Sequence, residues 1–342
     1  MFTNIIGNQN IKNILKFKIE ASRQQNKALS HILFEGPPGT GKTSFAKAIA
    51  REMNAEFISV TPKLVQQPKD LIRIISRFSR EGYDAEGNIV GRIKPTVVFI
   101  DEVHALKPEI QELLGIVIEE FEISSVIGEQ IFRQKVPLFT LIGATTLAGT
   151  LTKPFRERFK LSLKLKSYSI EESTEIALLH AKRLSAEVEH PAASEIARRS
   201  KGIPRLIVSH LENIADYASI HFRELGAITE HVVEKAFELF AIDSLGLDSV
   251  DRKVVWCLAD NADKPVGVES LALQTNEAIE TIIHVVEPYL MSIGFIQRTP
   301  RGRKITDKGM AYLKRRDKQQ SSGPSSHQTP LAQKEGYSNV AS

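Results

Sequence analysis

The sequence predicts an α/β fold, with a parallel sheet covered by helices, followed by a helical unit and a C-terminal winged-helix unit. Over the first half of the 342-residue chain, short apolar runs alternate with amphipathic stretches, which is typical of a sheet covered on both faces. After Tyr168 only helical spacing remains, and from Leu247 helical patterns precede a strand–turn–strand. The predicted domains are 1–168, 169–243 and 244–317, with a disordered tail at 318–342.

Composition excludes several other classes of protein. Hydrophobic residues make up 42% of the chain and charged residues 25%, which is average for globular domains and unlike collagen, disulfide scaffolds or disordered chains. A single cysteine, Cys257, rules out an internal disulfide and fits a reducing compartment. The chain has neither the pattern of a secretion signal nor an apolar run long enough for a membrane span, so we expect a cytoplasmic protein without a membrane partner.

The first half predicts the elements of the core in order. The predicted strands are His31–Phe34, Phe57–Val60, Thr96–Ile100, Phe139–Ala144 and Leu161–Leu165. The predicted helices between them are Gly41–Arg51, Lys69–Ser79 and Pro108–Glu119. Gly82–Gly91 predicts a loop or a small hairpin, and residues 120–138 alternate around a turn signal, which predicts a β-hairpin that leaves the sheet.

The second half predicts two smaller units. The helical unit consists of Ser169–Leu184, Pro191–Arg199, Arg205–Phe222 and Thr229–Phe240. The winged-helix unit begins with helices at Asp251–Ala259, Val268–Gln274 and Glu277–Met291. The strand–turn–strand that follows, GFIQRTPRGRKIT, has Pro300 and Gly302 at its tip, and three helices with such a wing are the pattern of a winged-helix domain.

A phosphate-binding loop is predicted at Gly36–Thr43, which reads GPPGTGKT between a predicted strand and a predicted helix. Gly36, Gly39 and Gly41 allow a tight loop whose N–H groups face phosphates at a helix N-terminus. Lys42 supplies a positive charge and the Thr43 hydroxyl reaches Mg²⁺. The strand before the loop and the helix after it argue against a chance match.

Two carboxylates and a threonine follow neighbouring strands. Asp101 and Glu102 end the apolar run TVVFI, where open α/β sheets bind ligands. We expect Asp101 to hold Mg²⁺ and Glu102 to polarise the attacking water. Thr146 ends a strand beside this one and can sense the γ-phosphate, although its hydroxyl is equally compatible with simply closing a strand. His104 is interpreted as a structural or coupling residue.

Arginines at two places have alternative interpretations on residues alone. In LTKPFRERF, Arg156 and Arg158 lie on one turn. This positive tip can reach the γ-phosphate of a neighbouring subunit, or its arginines can pair with Glu157 or another surface carboxylate. Arg205 lies at a helix start in GIPR, where it can contact the bound nucleotide or form a salt-bridged cap.

The positive charge is concentrated at one end of the fold. The net charge is +4, but residues 298–318 carry nine basic and two acidic residues, so the rest of the chain is slightly acidic. Arg298, Arg301 and Arg303 lie on and beside the wing tip, where guanidinium groups can follow DNA phosphates or enter the minor groove without reading sequence. The alternative is a solvated basic hairpin.

Six motifs occur in one order: GPPGTGKT, FIDEVH, FTLIGATT, LTKPFRERF, RRSKGIPR and GFIQRTPRGR. This series resembles the RuvB family of AAA+ motors, which drive branch migration of Holliday junctions, and the similarity runs from about Phe2 to Leu313. The resemblance implies an AAA+ P-loop ATPase core with a helical lid and a winged-helix domain. It also implies ATP and Mg²⁺ as cofactors, homo-hexamers around duplex DNA, and a RuvA-like junction-binding partner at the hairpin 120–138.

The resemblance also implies roles for single residues. Thr146 becomes the first sensor, and Arg158 becomes a finger that acts on a neighbouring subunit. The further nucleotide contacts that it implies are Lys42, Thr43, Ser44, Tyr168, Arg205 and an acidic–aromatic segment, Glu119, Glu120 and Phe121. The family's basic, proline-containing stretch ahead of FTNIIGNQ is missing here, so we expect Ile5, Ile6 and the lid to pack the adenine.

The function predicted from these observations is ATP-driven movement of duplex DNA through a ring, which drives branch migration in recombination and repair. Two other functions fit the same residues. One is an AAA+ loader or switch that places a clamp or helicase on DNA. The other is a DNA-binding regulator whose ATP site controls assembly without sustained turnover.

Overall fold

The fold is seen in a computed structural model that describes residues 1–25, 27–75, 95–127, 130–222 and 226–321. The chain divides into two compact units, residues 1–248 and residues 249–342. In the described parts of the chain, no helix combines the length and the apolarity that a membrane span requires.

A five-stranded parallel sheet forms the centre of the first unit. Its strands are β1 (Ile32–Glu35), β2 (Glu56–Val60), β3 (Thr96–Ile100), β6 (Phe139–Thr145) and β7 (Leu161–Lys164). Their order across the sheet is β2-β3-β6-β1-β7. The strand β3 lies beside β6 as predicted, and Ile32 pairs with both Ile142 and Leu161. All the strands point the same way, so every residue that follows a strand lies at one edge of the sheet.

Helices cover both faces of this sheet, because the strands are apolar on both sides. The helices of this part are α1 (Gln9–Gln24), α2 (Lys42–Glu52), α3 (Pro68–Ile75), α4 (Pro108–Glu120) and α5 (Lys153–Glu157). One core lies between the sheet and α3, α4 and α5, and contains Leu114, Phe139 and Phe155. The other lies against α1 and α2, and contains Leu15 and Phe45. The predicted parallel sheet covered by helices is confirmed.

Element bounds differ from the sequence predictions by one or two residues in most cases. The strand β3 has the predicted bounds, and the helix predicted at Gly41–Arg51 runs from Lys42 to Glu52. Helix α1 is not among the elements predicted from the sequence. The end of the helix predicted at Lys69–Ser79 and the loop predicted at Gly82–Gly91 lie outside the described residues.

The predicted hairpin is present. Strands β4 (Glu122–Ile127) and β5 (Gln130–Lys135) pair antiparallel in a sheet of their own, so they leave the central sheet as predicted. The hairpin is tied to its base where the Val136 N–H donates to the Phe121 carbonyl at 2.7 Å.

A helical subdomain completes the first unit. Its helices are α6 (Ile170–Arg183), α7 (His190–Arg199), α8 (Pro204–His221) and α9 (Glu230–Leu239), and they pack around a core that contains Leu211 and Phe237. A capping box starts α6, because the Ser169 side chain accepts from the Glu172 N–H and the Glu172 side chain accepts from the Ser169 N–H. This cap fixes where the subdomain begins, directly after Tyr168.

The second unit has the predicted helices and wing. Its elements are α10 (Ser249–Asp260), α11 (Val268–Thr275), α12 (Ile279–Thr281), a π-helical turn (Ile282–Val286), α13 (Glu287–Ser292), β8 (Ile296–Thr299), β9 (Gly302–Ile305) and α14 (Asp307–Ser321). The strands β8 and β9 form an antiparallel hairpin with Arg298 directly opposite Arg303. Helix α14 is not predicted from the sequence. It ends at Ser321, so it includes the first four residues of the range 318–342 predicted to be a disordered tail.

Candidate functional site

The phosphate loop lies at the carboxyl edge of the central sheet, directly after β1. The Gly36 N–H donates to the Thr145 carbonyl of β6 at 3.2 Å, which anchors the start of the loop. Gly36 and Gly39 have φ of 150° and 76°. A Cβ at Gly36 would lie 2.6 Å from the Leu165 carbonyl oxygen, so only glycine fits there. Gly41 then caps the N-terminus of α2 and leaves its first N–H groups facing the loop.

Lys42 is buried within this loop. Its ammonium group donates to the carbonyls of Gly36 at 2.8 Å and Pro37 at 2.9 Å. Burial lowers the pKa of Lys42, while the negative charges of Glu102 and Asp101 act in the opposite direction. The charge is therefore already oriented toward the place where the motif predicts phosphate oxygens.

Glu102 and Thr146 lie together at the same edge. The Glu102 carboxylate accepts from the Thr146 hydroxyl at 3.2 Å and from the Thr146 N–H at 3.3 Å. Glu102 also has a φ of 49°, a left-handed conformation that is uncommon outside glycine and that concentrates at functional sites. Both residues are predicted from the sequence, and the structure brings them into contact.

Two neighbours extend this pair into a network. The His104 Nδ1 lies 3.1 Å from the same Glu102 oxygen and 2.9 Å from the Thr145 hydroxyl. The Thr145 hydroxyl also accepts from the Leu147 N–H at 2.9 Å. Thr145 is not among the site residues predicted from the sequence, although its position at the end of an apolar strand is a usable signal. His104, interpreted from the sequence as a structural or coupling residue, contacts both Glu102 and Thr145.

A cavity of about 320 Å³ lies between the phosphate loop, the carboxylates that follow β3 and the helical subdomain. The phosphate loop, Ser44, Asp101, Glu102 and Arg205 all line it. A second cavity of about 150 Å³, lined by Ile5, Ile6, Gly41, Ser44 and Tyr168, continues toward the N-terminal segment. The residues expected to pack an adenine are therefore brought together around one of the two spaces.

Tyr168 joins the core to the helical subdomain at this place. Its hydroxyl donates to the Thr40 carbonyl at 3.2 Å, and its N–H donates to the Gly202 carbonyl at 3.3 Å. Burial raises the pKa of Tyr168, so the phenol stays protonated and remains a donor. Gly202, with a φ of 68°, lies in the turn that leads to Arg205. The turn places Arg205 over the phosphate loop.

These residues fit a nucleoside triphosphate with Mg²⁺. The loop supplies N–H groups and one ammonium group, which suit phosphate, and Thr43 and Asp101 supply oxygen donors, which suit Mg²⁺. Within the described residues, no cluster of His, Cys, Asp and Glu forms a metal site by itself. Mg²⁺ in such a site takes few protein ligands and completes its shell with phosphate and water.

Arg158 lies at the opposite edge of the sheet. It precedes β7, whose first residue, Leu161, pairs with Ile32 at the start of β1, whereas the phosphate loop follows the end of β1. At about 3.3 Å per residue the strand alone separates the two edges by about 10 Å. Arg158 lines a different cavity, of about 680 Å³, together with Glu119 and Lys160. The structure therefore does not bring Arg158 to the phosphate loop of its own chain.

The acidic–aromatic segment 119–121 also lies at this distant edge. Glu119 forms an ion pair with Arg158 at 2.9 Å. Phe121 ends α4 in a left-handed conformation, and its ring packs near those of His31 and Phe139. Glu120 is exposed. Glu119 and Arg158, which are 39 residues apart, are thus brought together, while Phe121 packs at the base of the hairpin.

The three arginines of the wing have different surroundings. The carboxylate of Glu287, which is completely buried, accepts from Arg298 at 2.6 Å and 3.1 Å and also from Arg303. The side chain of Arg298 is 51% exposed and that of Arg303 only 13%. Arg301 is exposed at the turn between β8 and β9. Glu287 thus holds both strands of the wing, although no motif in the sequence singles it out.

The phosphate loop, the carboxylates after β3, Thr146 after β6 and a helical subdomain over the cavity define a P-loop ATPase of the AAA+ class. Comparisons with protein families agree. Residues 1–165 match the Holliday junction DNA helicase RuvB P-loop domain, residues 168–243 the RuvB AAA lid domain, and residues 244–314 the RuvB C-terminal winged helix domain. The chain belongs to the RuvB family.

Individual relatives are similar over most of their length. RuvB 2, a Holliday junction branch migration complex subunit from Synechococcus sp. (strain JA-3-3Ab), is 39% identical over 90% of this chain and 80% of its own. The RuvB subunit from Methanoregula boonei is 37% identical over 90% of this chain and 89% of its own. The solved structure of the Thermotoga maritima RuvB Holliday junction branch migration motor matches with a TM-score of 0.78 and 34% identity, over 90% of this chain and 95% of that chain.

The Glu287 cluster predicts different consequences for two neighbouring arginines. Arg303→Ala leaves a buried carboxylate with one partner fewer, so we expect the free energy of unfolding of the second unit to fall by about 3 kcal/mol. Arg301→Ala changes an exposed side chain, and the free energy of unfolding should change by less than about 0.5 kcal/mol. Urea unfolding followed by Trp256 fluorescence measures this, because the chain's one tryptophan lies in α10. Equal losses in both variants would contradict the structural role of Arg303.

Proposed function

We propose that this chain is the ATP-hydrolysing subunit of a hexameric motor that moves duplex DNA and drives branch migration of Holliday junctions. Membership of the RuvB family and the printed activities of its relatives support this function. The observation that carries it is the placement of Arg158 at the edge of the sheet opposite its own phosphate loop. A site that needs both groups is completed only when the arginine edge of one copy meets the loop edge of another.

The carboxyl edge of the sheet binds and activates the reactants. Lys42 and the loop N–H groups hold the β- and γ-phosphates, and Thr43, Ser44 and Asp101 orient the phosphates and Mg²⁺. The metal supplies charge stabilisation to the phosphates when it is bound. Glu102 orients and polarises the attacking water, and its contact with Thr146 links the carboxylate to the strand end that faces the γ-phosphate.

The opposite edge contributes in trans. Arg158 of one subunit reaches the γ-phosphate held by its neighbour, where a guanidinium group stabilises the charge that develops in the transition state. Glu119, Glu120 and Phe121 accompany it at the same edge. ATP hydrolysis thus depends on the contact between subunits. In a ring, each hydrolysis event is therefore coupled to a change at the contact between neighbouring subunits.

The lid reports the state of the nucleotide. Arg205 lines the phosphate cavity, and Tyr168 closes it beside the space lined by Ile5 and Ile6. We assign the adenine to this second space. Tyr168 forms hydrogen bonds with both the phosphate loop and the turn before Arg205, so a change at the phosphates moves the lid.

The proposed domain division is 1–168 for the ATPase core, 169–243 for the lid and 244–317 for the winged-helix domain, followed by the tail. The wing contacts DNA through Arg301 and the exposed part of Arg298, while Arg303 supports the wing from inside. Contacts of this kind neutralise phosphates and carry no sequence preference, as a motor on arbitrary DNA requires. A RuvA-like junction-binding protein docks on the hairpin 120–138.

Variants of Glu102 and Thr146 test the chemistry at the carboxyl edge. Glu102→Gln should bind ATP but lower kcat by about 10²- to 10⁴-fold, because the general base is lost. Thr146→Val should lower kcat by about 10-fold with an unchanged KM, since only the hydroxyl that contacts Glu102 is removed. Kinetic constants are measured by steady-state ATPase assays, with Ser219→Ala as the control, because Ser219 is an exposed hydroxyl residue near the end of α8. Full turnover by Glu102→Gln would remove its assigned role.

A synthetic four-way junction tests the motor directly. With ATP and a RuvA-type protein, we expect the chain to convert the junction into its two duplex products. Adding Arg158→Ala subunits to the wild-type protein should suppress this activity by more than dilution, because each variant subunit disables its neighbour's site. ATP turnover without branch migration under any condition would point to a loader, and failure of Arg158→Ala to poison the wild type would exclude a shared site.

A further inference from the structure

The guanidinium group of Arg158 is held by acceptors of its own chain. Its Nε donates to the Glu119 carboxylate at 2.9 Å, and its Nη1 donates to the Pro154 carbonyl at 3.0 Å. Within the described ranges, the remaining nitrogen, Nη2, donates to no protein acceptor. One side of the guanidinium group is therefore fixed in place, and the other side is available to a ligand.

Helix α4 is shaped to receive this arginine. Gly115 lies one helical turn before Glu119 on the same face of α4 and is buried. A Cβ at Gly115 would lie 3.1 Å from the Arg158 Cδ and 3.3 Å from its Nε and Nη1. Glycine is unfavourable inside a helix, so a glycine in the middle of α4 calls for a reason. The close approach of the arginine side chain supplies one.

The pair contributes little to folding. The Glu119 side chain is 62% exposed, and an ion pair in contact with solvent stabilises the folded state only weakly. The Arg158 side chain, by contrast, is 27% exposed and has one direction fixed by two hydrogen bonds. The arrangement therefore restricts where the guanidinium group points more than it stabilises the fold.

We propose that Gly115 and Glu119 are positioning residues for Arg158. Gly115 lets the arginine side chain lie against α4, and Glu119 with the Pro154 carbonyl orients the guanidinium group so that Nη2 remains free for the γ-phosphate bound by a neighbouring subunit. This inference rests on the proposed role of Arg158 in trans. It adds that the finger is oriented by its own chain before the neighbour arrives, which lowers the entropic cost of reaching the reactive geometry.

Removing the acceptor tests the inference first. Glu119→Ala should lower the kcat of DNA-stimulated ATP hydrolysis by about 10- to 100-fold, because a displaced catalytic contact loses rate on this scale. The KM for ATP should change by less than about twofold, since binding uses the other edge of the sheet. The kcat of Glu119→Gln should lie between that of the wild type and that of Glu119→Ala, because the glutamine amide oxygen still accepts from the Arg158 Nε. Glu112→Ala, at an exposed glutamate of the same helix, is the matched control and should behave as wild type.

Filling the space beneath the arginine is the second test. Gly115→Ala improves helix propensity, so the thermal midpoint should be unchanged or higher, yet the new methyl group displaces Arg158 and should lower kcat by about 10-fold. Gly226→Ala, where an added Cβ meets no atom within 4 Å, is the control. Loss of kcat without loss of stability is a result that a merely structural glycine does not produce.

Combined variants separate this inference from the proposed function. In an Arg158→Ala background, Glu119→Ala should cause no further loss of kcat, because the residue it positions is gone. Additive losses, or an unchanged kcat in both Glu119→Ala and Gly115→Ala, would overturn the positioning role. If Arg158→Ala itself keeps the wild-type kcat, the role of Arg158 in trans fails instead, and with it the premise of this inference.

Discussion

The parallel direction of the central strands is the constraint on which the rest of the structure depends. Because β1, β3 and β6 run the same way, the phosphate loop, Asp101, Glu102 and Thr146 follow strand ends at one edge of the sheet. The same constraint places whatever precedes β7, including Arg158, at the other edge. Under the proposed function, a single chain carries both halves of an ATP site on opposite edges, so the two halves meet between copies.

At each edge the reactive groups are already held by partners within the chain. Lys42 donates to carbonyls of the phosphate loop, Glu102 accepts from Thr146, and Arg158 donates to Glu119. A charged group that is partly removed from water needs such partners, and the same bonds orient it for its ligand. In the wing, Glu287 plays the corresponding part by holding Arg303 inside while Arg301 stays exposed.

Local patterns predicted most of the fold and the carboxyl edge of the site. The strand β3 is a continuous apolar run and the phosphate loop a fixed motif, so both are read directly from adjacent residues. The sequence does not predict helix α1, because Asn8, the residue before it, has a left-handed conformation and no side-chain cap, and the helix buries only Ile11, Leu15 and Ile19. Helix α14 carries five basic residues among its fifteen, and this pattern indicates a charged segment without predicting a helix.

Contacts between distant residues were beyond the reach of sequence patterns. Nothing in the sequence around Glu119 indicates that it meets Arg158, since the contact depends on how α4 and α5 pack. Likewise, the arginines of the wing looked equivalent, although a buried glutamate 11 and 16 residues earlier engages Arg298 and Arg303. The resemblance to the RuvB family supplied roles for Arg158 and Glu119, whereas only the structure shows them side by side.

The central claim, an ATP site shared between copies, is tested most directly by mixing two inactive variants. Glu102→Gln keeps a working finger edge and Arg158→Ala keeps a working loop edge, so a mixed ring contains some interfaces with both intact edges. In a random equal mixture this holds for about a quarter of the interfaces. We predict that the mixture hydrolyses ATP on DNA, although neither variant does so alone. A mixture as inactive as its components, in rings shown to exchange subunits, would contradict the shared site.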